Sequence, residues 1–151
     1  MFRLVLFIGL VVSAAAQQPD LPAPPDFSGT YTFLEDGETV QINITDGKVD
    51  GFISRLGDLE SDKGTFIDQF FSKAEVKGDK LAFTTKPVHS VWFEFKGKVE
   101  RGPGKLRSDE KYFLLRGTLT RYYTDHHKKT TAKERTVVFE SLPDGLMPAG
   151  Q

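Results

Sequence analysis

Apolar residues recur at every second position through most of the chain, and the alternation restarts after each short turn signal. "GTYTFLEDGETVQINI" puts Gly29, Tyr31 and Phe33 on one face of a strand and Val40, Ile42 and Ile44 on one face of the next. Asp36-Gly37 between them is a two-residue hairpin signal. That loop sets Phe33 against Val40, Tyr31 against Ile42 and Gly29 against Ile44. "NITDGKVDGFI" turns at Asp46-Gly47 and sets Ile44 against Val49 and Val40 against Ile53, while "KAEVKGDKLAF" turns at Gly78-Asp79 and sets Val76 against Leu81 and Ala74 against Phe83. A slip of one residue would send each apolar set to the opposite face, so three consistent registers argue for hairpins.

Continued along the chain, the pattern predicts strands at 27–35, 38–45, 48–56, 65–77, 80–86, 90–100, 112–124 and 135–142, with no useful helical periodicity. Eight short strands joined in sequence predict an all-β fold, an antiparallel up-and-down eight-stranded β-barrel whose closure leaves no edge exposed. A two-sheet β-sandwich satisfies the same alternation and stays open as the alternative.

The ends change the picture. "MFRLVLFIGLVVSAAAQQP" has Arg3, an apolar run from Leu4 to Val12 and small residues from Ala14 to Ala16, the pattern of a signal peptide over 1–16 cleaved after Ala16. The apolar run is much shorter than the roughly 20 residues a membrane-spanning helix needs. No transmembrane span is therefore expected once the signal is cleaved. "QQPDLPAPP" is a Pro-rich leader over 17–25, the single barrel domain occupies 26–143, and 144–151 form a C-terminal tail. The chain contains no cysteine. An exported domain without disulfides must rest on its core, which fits a bacterial periplasm or the surrounding medium. Loss of Arg3 with the signal leaves 19 basic against 21 acidic residues, a balance that argues against a nucleic-acid partner.

Candidate chemistry divides by face and by end. After Pro87, Val91, Phe93, Phe95 and Val99 share the core face, so Trp92 points outward. With Phe52, Ile67 and Phe71, also assigned outward, it forms a candidate interaction patch for a homo-oligomer or another protein. In a meander the connections alternate between the two ends, which brings His89, His126 and His127 to one rim beside the acidic loop with Asp58, Glu60 and Asp62. Imidazoles and carboxylates are metal ligands. Solvated loop histidines beside Lys128 and Lys129 are the plainer account. On the inner faces Arg55, Asp68, Thr85 and Arg121 interrupt the apolar pattern, with Asp68 between Phe66 and Phe70. Buried, these polar groups need partners. They read either as structural pairs or as the orienting groups of a ligand pocket to which Tyr31 also contributes. No nucleophile elbow, phosphate loop or cofactor fingerprint occurs, so no catalytic residue and no cofactor is assigned.

"FSGTY", residues 27–31, followed by a meander of eight strands, resembles the calycin-type barrels, the lipocalins and avidins, whose first strand opens with a Gly-x-Trp or Ser-Gly-Thr-Trp element. Tyr31 stands where that element has tryptophan. The phrases "DGKVDG", "KGDKLAF" and "FEFKGKVERG" are also similar to those of small secreted bacterial β-rich proteins without known activity. The resemblance implies an exported, periplasmic or extracellular barrel, and no ligand residue can be carried over, because the binding positions outside the first strand have no match here. Three functions follow: a barrel binding a small apolar or amphipathic molecule, a non-enzymatic interaction or structural module using the outer aromatic patch, and an enzyme. Phe33, Phe66, Phe70, Phe83, Phe93, Phe95, Phe113 and Phe139 are counted as interior, enough to fill a narrow barrel.

Overall fold

Eight strands succeed one another as a meander: β1 (Gly29–Thr32), β2 (Thr39–Thr45), β3 (Lys48–Leu56), β4 (Phe66–Lys77), β5 (Lys80–Thr85), β6 (Val91–Arg101), β7 (Phe113–Thr124) and β8 (Thr130–Glu140). This computed structural model describes residues 26–143, and the expected signal peptide, leader and tail lie outside the described residues. Every neighbouring pair is antiparallel, and the order in the sheet is the order in the chain. One continuous sheet therefore replaces the two of the sandwich alternative. The sheet curls until its ends meet: Tyr31 bridges Ser141, the Leu142 N–H donates to Thr30 O at 2.8 Å, and the Glu140 N–H donates to the Thr32 hydroxyl at 2.9 Å. β1 has only four residues against eleven in β8. The seam consequently joins the barrel at one end and stops short of the other.

The hairpins at Asp46-Gly47 and Gly78-Asp79 have the expected registers, Ile44 opposite Val49 and Ala74 opposite Phe83. Gly47 and Gly78 take φ of 74° and 61°, which a residue with a Cβ resists. The first hairpin differs. Tyr31 faces Val40 and Gly29 faces Ile42, two residues from the expected pairing, because Phe33 and Glu38 close a longer turn through Phe33 N–H to Glu38 O at 3.1 Å. A shift of two preserves every face. β8 begins at Thr130 rather than 135, since the Asp125 carboxylate accepts from the N–H groups of His127 and Lys129, both at 2.9 Å, and tightens the turn.

The larger correction is in β4. The Gly78-Asp79 turn fixes Ala74 and Val76 as inward, and strict alternation would then carry Phe70, Asp68 and Phe66 inward as well. A bulge between Phe71 and Lys73 inverts the phase. Ile67 and Gln69 are buried and Phe71 packs inward on Phe83, whereas Asp68 is exposed and Phe66 and Phe70 are each 55% exposed. Asp68 is thus not an interior group, and Ile67 and Phe71 do not belong to an outer patch.

The interior is filled by rings in contact. Phe71 stacks on Phe83 (4.3 Å between centroids), Phe83 on Phe95 (5.3 Å), Phe95 meets Phe139 (5.6 Å), Phe139 meets Phe33 (5.2 Å), and Phe33 meets Phe93 edge to face (5.5 Å, 83°). Such pairs add a geometric preference to the burial of large apolar area. At the seamed end, Arg107 donates to Asp26 O at 2.5 Å and to Ser28 O at 3.1 Å, folding the 102–112 loop onto the entry of β1. Tyr31 is fully buried beneath it and its hydroxyl donates to Phe27 O at 2.6 Å. Burial pushes that phenol above its ordinary pKa. Tyr31 closes this end of the barrel and does not face a ligand cleft.

Candidate functional site

The opposite end carries the turns 33–38, 57–65, 86–90 and 125–129, as the meander requires. Contacts across it are polar: Arg121 Nη2 donates to Asp58 Oδ2 at 2.6 Å, and His89 Nδ1 lies 2.7 Å from Asp62 Oδ2. Between these turns lies a cleft of about 200 Å³ lined by Phe33, Leu34, Glu35, Glu38, Arg55, Leu56, Gly57, Asp58, Phe93, Arg121 and Arg135. Arg55, Arg121 and Arg135 all continue the inward phase of their strands past the last aromatic layer, with Arg121 opposite Phe93 and Arg135 opposite Leu119. The cleft is the mouth of the barrel, with the filled interior as its floor.

Arg55 is 3% exposed, which is unusual for a charged residue and obliges its guanidinium to find acceptors. Its Nε donates to Gln69 Oε1 at 2.5 Å, and its Nη1 donates to Leu56 O at 3.1 Å and, at 3.4 Å, to Asp58 Oδ1. Its Cζ stands 5.7 Å from the centre of the Phe93 ring, within cation–π range. Burial lowers its pKa while Asp58 and Asp62 raise it, and a guanidinium remains charged at neutral pH. Gln69, fully buried, uses its amide nitrogen on Lys86 O (3.1 Å) and Val91 O (2.9 Å) and so holds Arg55 against the 86–90 turn. Arg55 Nη2 is buried and meets no acceptor among the described residues.

The acceptors of the mouth are differently placed. Both carboxylate oxygens of Glu38 accept backbone N–H groups, from Glu35 at 3.1 Å and Leu56 at 2.8 Å. Asp58 is shared between Arg55 and Arg121. Asp62 accepts from the Leu59 N–H at 2.9 Å as well as facing His89. The His89 hydrogen bond holds its carboxyl below the usual range. A depressed carboxyl contributes stability that is complete above its unfolded pKa, about 3.9, and lost as pH falls through the native value. His89→Ala is therefore expected to lower the thermal midpoint at pH 6 and to converge on the wild type as pH falls below the depressed native pKa of Asp62. Parallel midpoint curves over that range would mean the contact does not tie the two turns together.

Of the residues singled out from sequence, Arg55 and Arg121 meet in this mouth. Thr85 is buried nearby, its hydroxyl accepting the Phe93 N–H at 3.0 Å, a structural role beneath the cleft. Asp68 and Tyr31 are elsewhere. His126 and His127 sit ring against ring, 3.8 Å apart, in the exposed β7–β8 turn, while His89 is engaged with Asp62. No group of three or more His, Asp or Glu residues able to hold a metal occurs among the described residues. Gln69 and Arg135 were not singled out. Arg135 shares the phase of Val137 and Phe139, and that alternation is the signal for it.

On the outside, Trp92 stacks on its cross-strand partner Tyr122 (5.0 Å, 7°), and Phe52 packs on Phe70 (5.3 Å). The outer aromatic surface is thus two pairs on β3/β4 and β6/β7, with β5 between them. A larger outer hollow of about 600 Å³ over Ala82 is bordered by Lys77, Lys80, Lys96, Lys98 and Glu75. Three of these lysines pair with glutamates on their own strands, Lys77 with Glu75, Lys96 with Glu94 and Lys98 with Glu100. Exposed pairs of that kind are ordinary sheet surface.

No protein-family model matches the chain, and no curated protein matches it. Among solved structures, the intact apo form of afifavidin is similar, with a TM-score of 0.56 and 14% identity over 82% of this chain and 87% of that one. This likeness shows the fold alone, an avidin-like antiparallel barrel, which is consistent with the calycin-type architecture that "FSGTY" and the meander resemble.

Proposed function

We propose that this chain is a small-molecule-binding barrel whose site is the polar mouth rather than the interior. The observation that carries the proposal is Arg55, a buried guanidinium with an unmatched donor in a cleft walled by Phe33 and Phe93. A buried donor without an acceptor is retained inside a fold at a cost, and a concave site with few convergent polar groups and apolar walls is the usual form of a ligand pocket. An amphipathic guest fits such a mouth, its polar group on the arginines and its apolar part on the rings. The avidin-like fold of its neighbour supports a binding barrel in general and says nothing of the guest. The N-terminal pattern of residues 1–16 supports export to a bacterial periplasm or medium.

A second reading, an interaction module or homo-oligomer, is favoured by Phe66 and Phe70, which expose apolar rings on β4 beside Phe52. Native mass spectrometry of the protein isolated from an exporting bacterial host separates the two. The binding reading expects a monomer mass lacking residues 1–16 together with an added small mass that collisional activation removes. An oligomer without added mass supports the interaction reading. A bare monomer to which a small-molecule panel adds nothing removes the binding reading.

A further inference from the structure

We propose that the guest of the mouth is a small organic anion, a carboxylate on a short apolar or aromatic body, held by Arg55 and Arg121 with its body on Phe33 and Phe93. This rests on the mouth being the binding site and adds the chemical class of what it takes.

The inference comes from the imbalance between donors and acceptors. Each guanidinium offers five N–H donors in a planar fork. Arg55 has its Nη2 without an acceptor, and Arg121 contributes to the cleft a hydrogen bond from Nη2 alone, to Asp58. Exposed Arg135 adds a third cation at the rim. Of the carboxylates beside them, Glu38 is engaged on two backbone N–H groups and Asp58 on two arginines, while Glu35 stands exposed at the rim. A guest that is itself a donor finds its free carboxylate only at Glu35 on the solvent-exposed rim, whereas an anion finds an unmatched N–H on buried Arg55 beside Arg121. Charge-assisted, forked contacts are the strongest hydrogen bonds available to such a group.

Size and walls narrow the class. At about 200 Å³ the cleft is smaller than the 300 to 1,000 Å³ typical of drug-sized ligands. Leu34 and Leu56 continue the apolar wall made by the two rings. A carboxylate with a body of roughly one ring suits this shape, and a bare inorganic anion would leave the wall unused. Asp58 marks where a guest carboxylate would compete. It bridges Arg55 and Arg121 from the 57–65 turn, half exposed, with one long contact of 3.4 Å. Removing its charge should therefore strengthen an anion.

The test uses the full mature chain with benzoate, benzamide and benzylamine as probes, read by NMR chemical shifts and by titration. Benzoate is expected to shift the Arg55 Nε–H and the backbone signals of Phe33, Gly57 and Arg121. It should bind about tenfold more tightly than benzamide, with benzylamine weaker still. Arg121→Gln should weaken benzoate about tenfold and leave benzamide unchanged, and Asp58→Asn should strengthen benzoate only. Arg135→Gln, at an exposed position on β8, provides a second variant and should weaken benzoate by a smaller factor. Benzamide matching benzoate at these same residues would overturn the anion assignment while leaving the mouth a binding site. Shifts from none of the probes would overturn both. Benzoate binding that persists undiminished in Arg121→Gln and Arg135→Gln would also overturn it.

Discussion

Gln69→Leu is expected to lower stability by about 3 to 5 kcal/mol, close in volume though the two side chains are. Gln69 is fully buried and makes three hydrogen bonds, accepting from Arg55 Nε at 2.5 Å and donating to Lys86 O at 3.1 Å and Val91 O at 2.9 Å. Leucine removes all three. The Lys86 carbonyl then loses its side-chain donor, the Val91 carbonyl is left with the Val88 N–H at 2.9 Å, and the Arg55 guanidinium, already short of one acceptor, loses its shortest contact. The double variant Arg55→Leu/Gln69→Leu should recover the part due to the charge and not the part due to the carbonyls. Gln69→Glu makes the complementary point. A carboxylate satisfies Arg55 but sets acceptors against both carbonyls, so it too should destabilise the protein at neutral pH. Urea denaturation reads all three. A Gln69→Leu loss below about 1 kcal/mol would mean that water replaces the amide, and the mouth would then be wetter than its packing indicates.

The same residue shows where sequence reasoning stops. Apolar doublets, Phe66-Ile67 and Phe70-Phe71, let either phase of β4 look amphipathic, and the phase was set from the hairpin at Gly78-Asp79. A bulge at Ser72 lies between that turn and the doublets. Alternation carries no mark of a bulge, so the inward polar residue read as Asp68 is in fact Gln69. Arg55 and Arg121 were legible because each lies on a strand with one unambiguous apolar face and no bulge before the mouth. The hairpins at Gly47 and Gly78 were legible in full register because a tight turn with glycine at positive φ permits little else. The first hairpin kept its faces and lost its register because Glu38 belongs to the turn. Its carboxylate accepts the Glu35 N–H and the Leu56 N–H of β3, a contact between elements that no local pattern encodes. The outward direction of Trp92 was legible, and its stacking on Tyr122 depends on the β6–β7 register, which a long loop from Gly102 to Tyr112 leaves unspecified by turn chemistry.

Gly97→Val tests whether the interior is filled, and its sign separates packing from strand preference. Valine is favoured over glycine in strands, so intrinsic preference alone predicts stabilisation. The structure predicts a loss of about 3 kcal/mol or more. Gly97 lies opposite Gly117 across β6 and β7 on the inward face. A Cβ on Gly97 would stand 2.4 Å from Arg116 O, 2.6 Å from Phe95 Cζ and 2.8 Å from the Gly117 Cα. Two of those three neighbours are backbone and cannot rotate aside. The third is the ring that joins Phe83 to Phe139 in the aromatic chain, and its displacement disturbs both contacts. Ala82→Val is the matched control, an outward position paired with Lys96 beside the outer hollow, where a larger side chain meets open space. It should change stability by less than about 0.5 kcal/mol. If Gly97→Val proves as stable as the wild type while Ala82→Val is neutral, the rings have slack around Phe95. A guest could then enter the barrel itself, and the mouth would be its vestibule instead of its site.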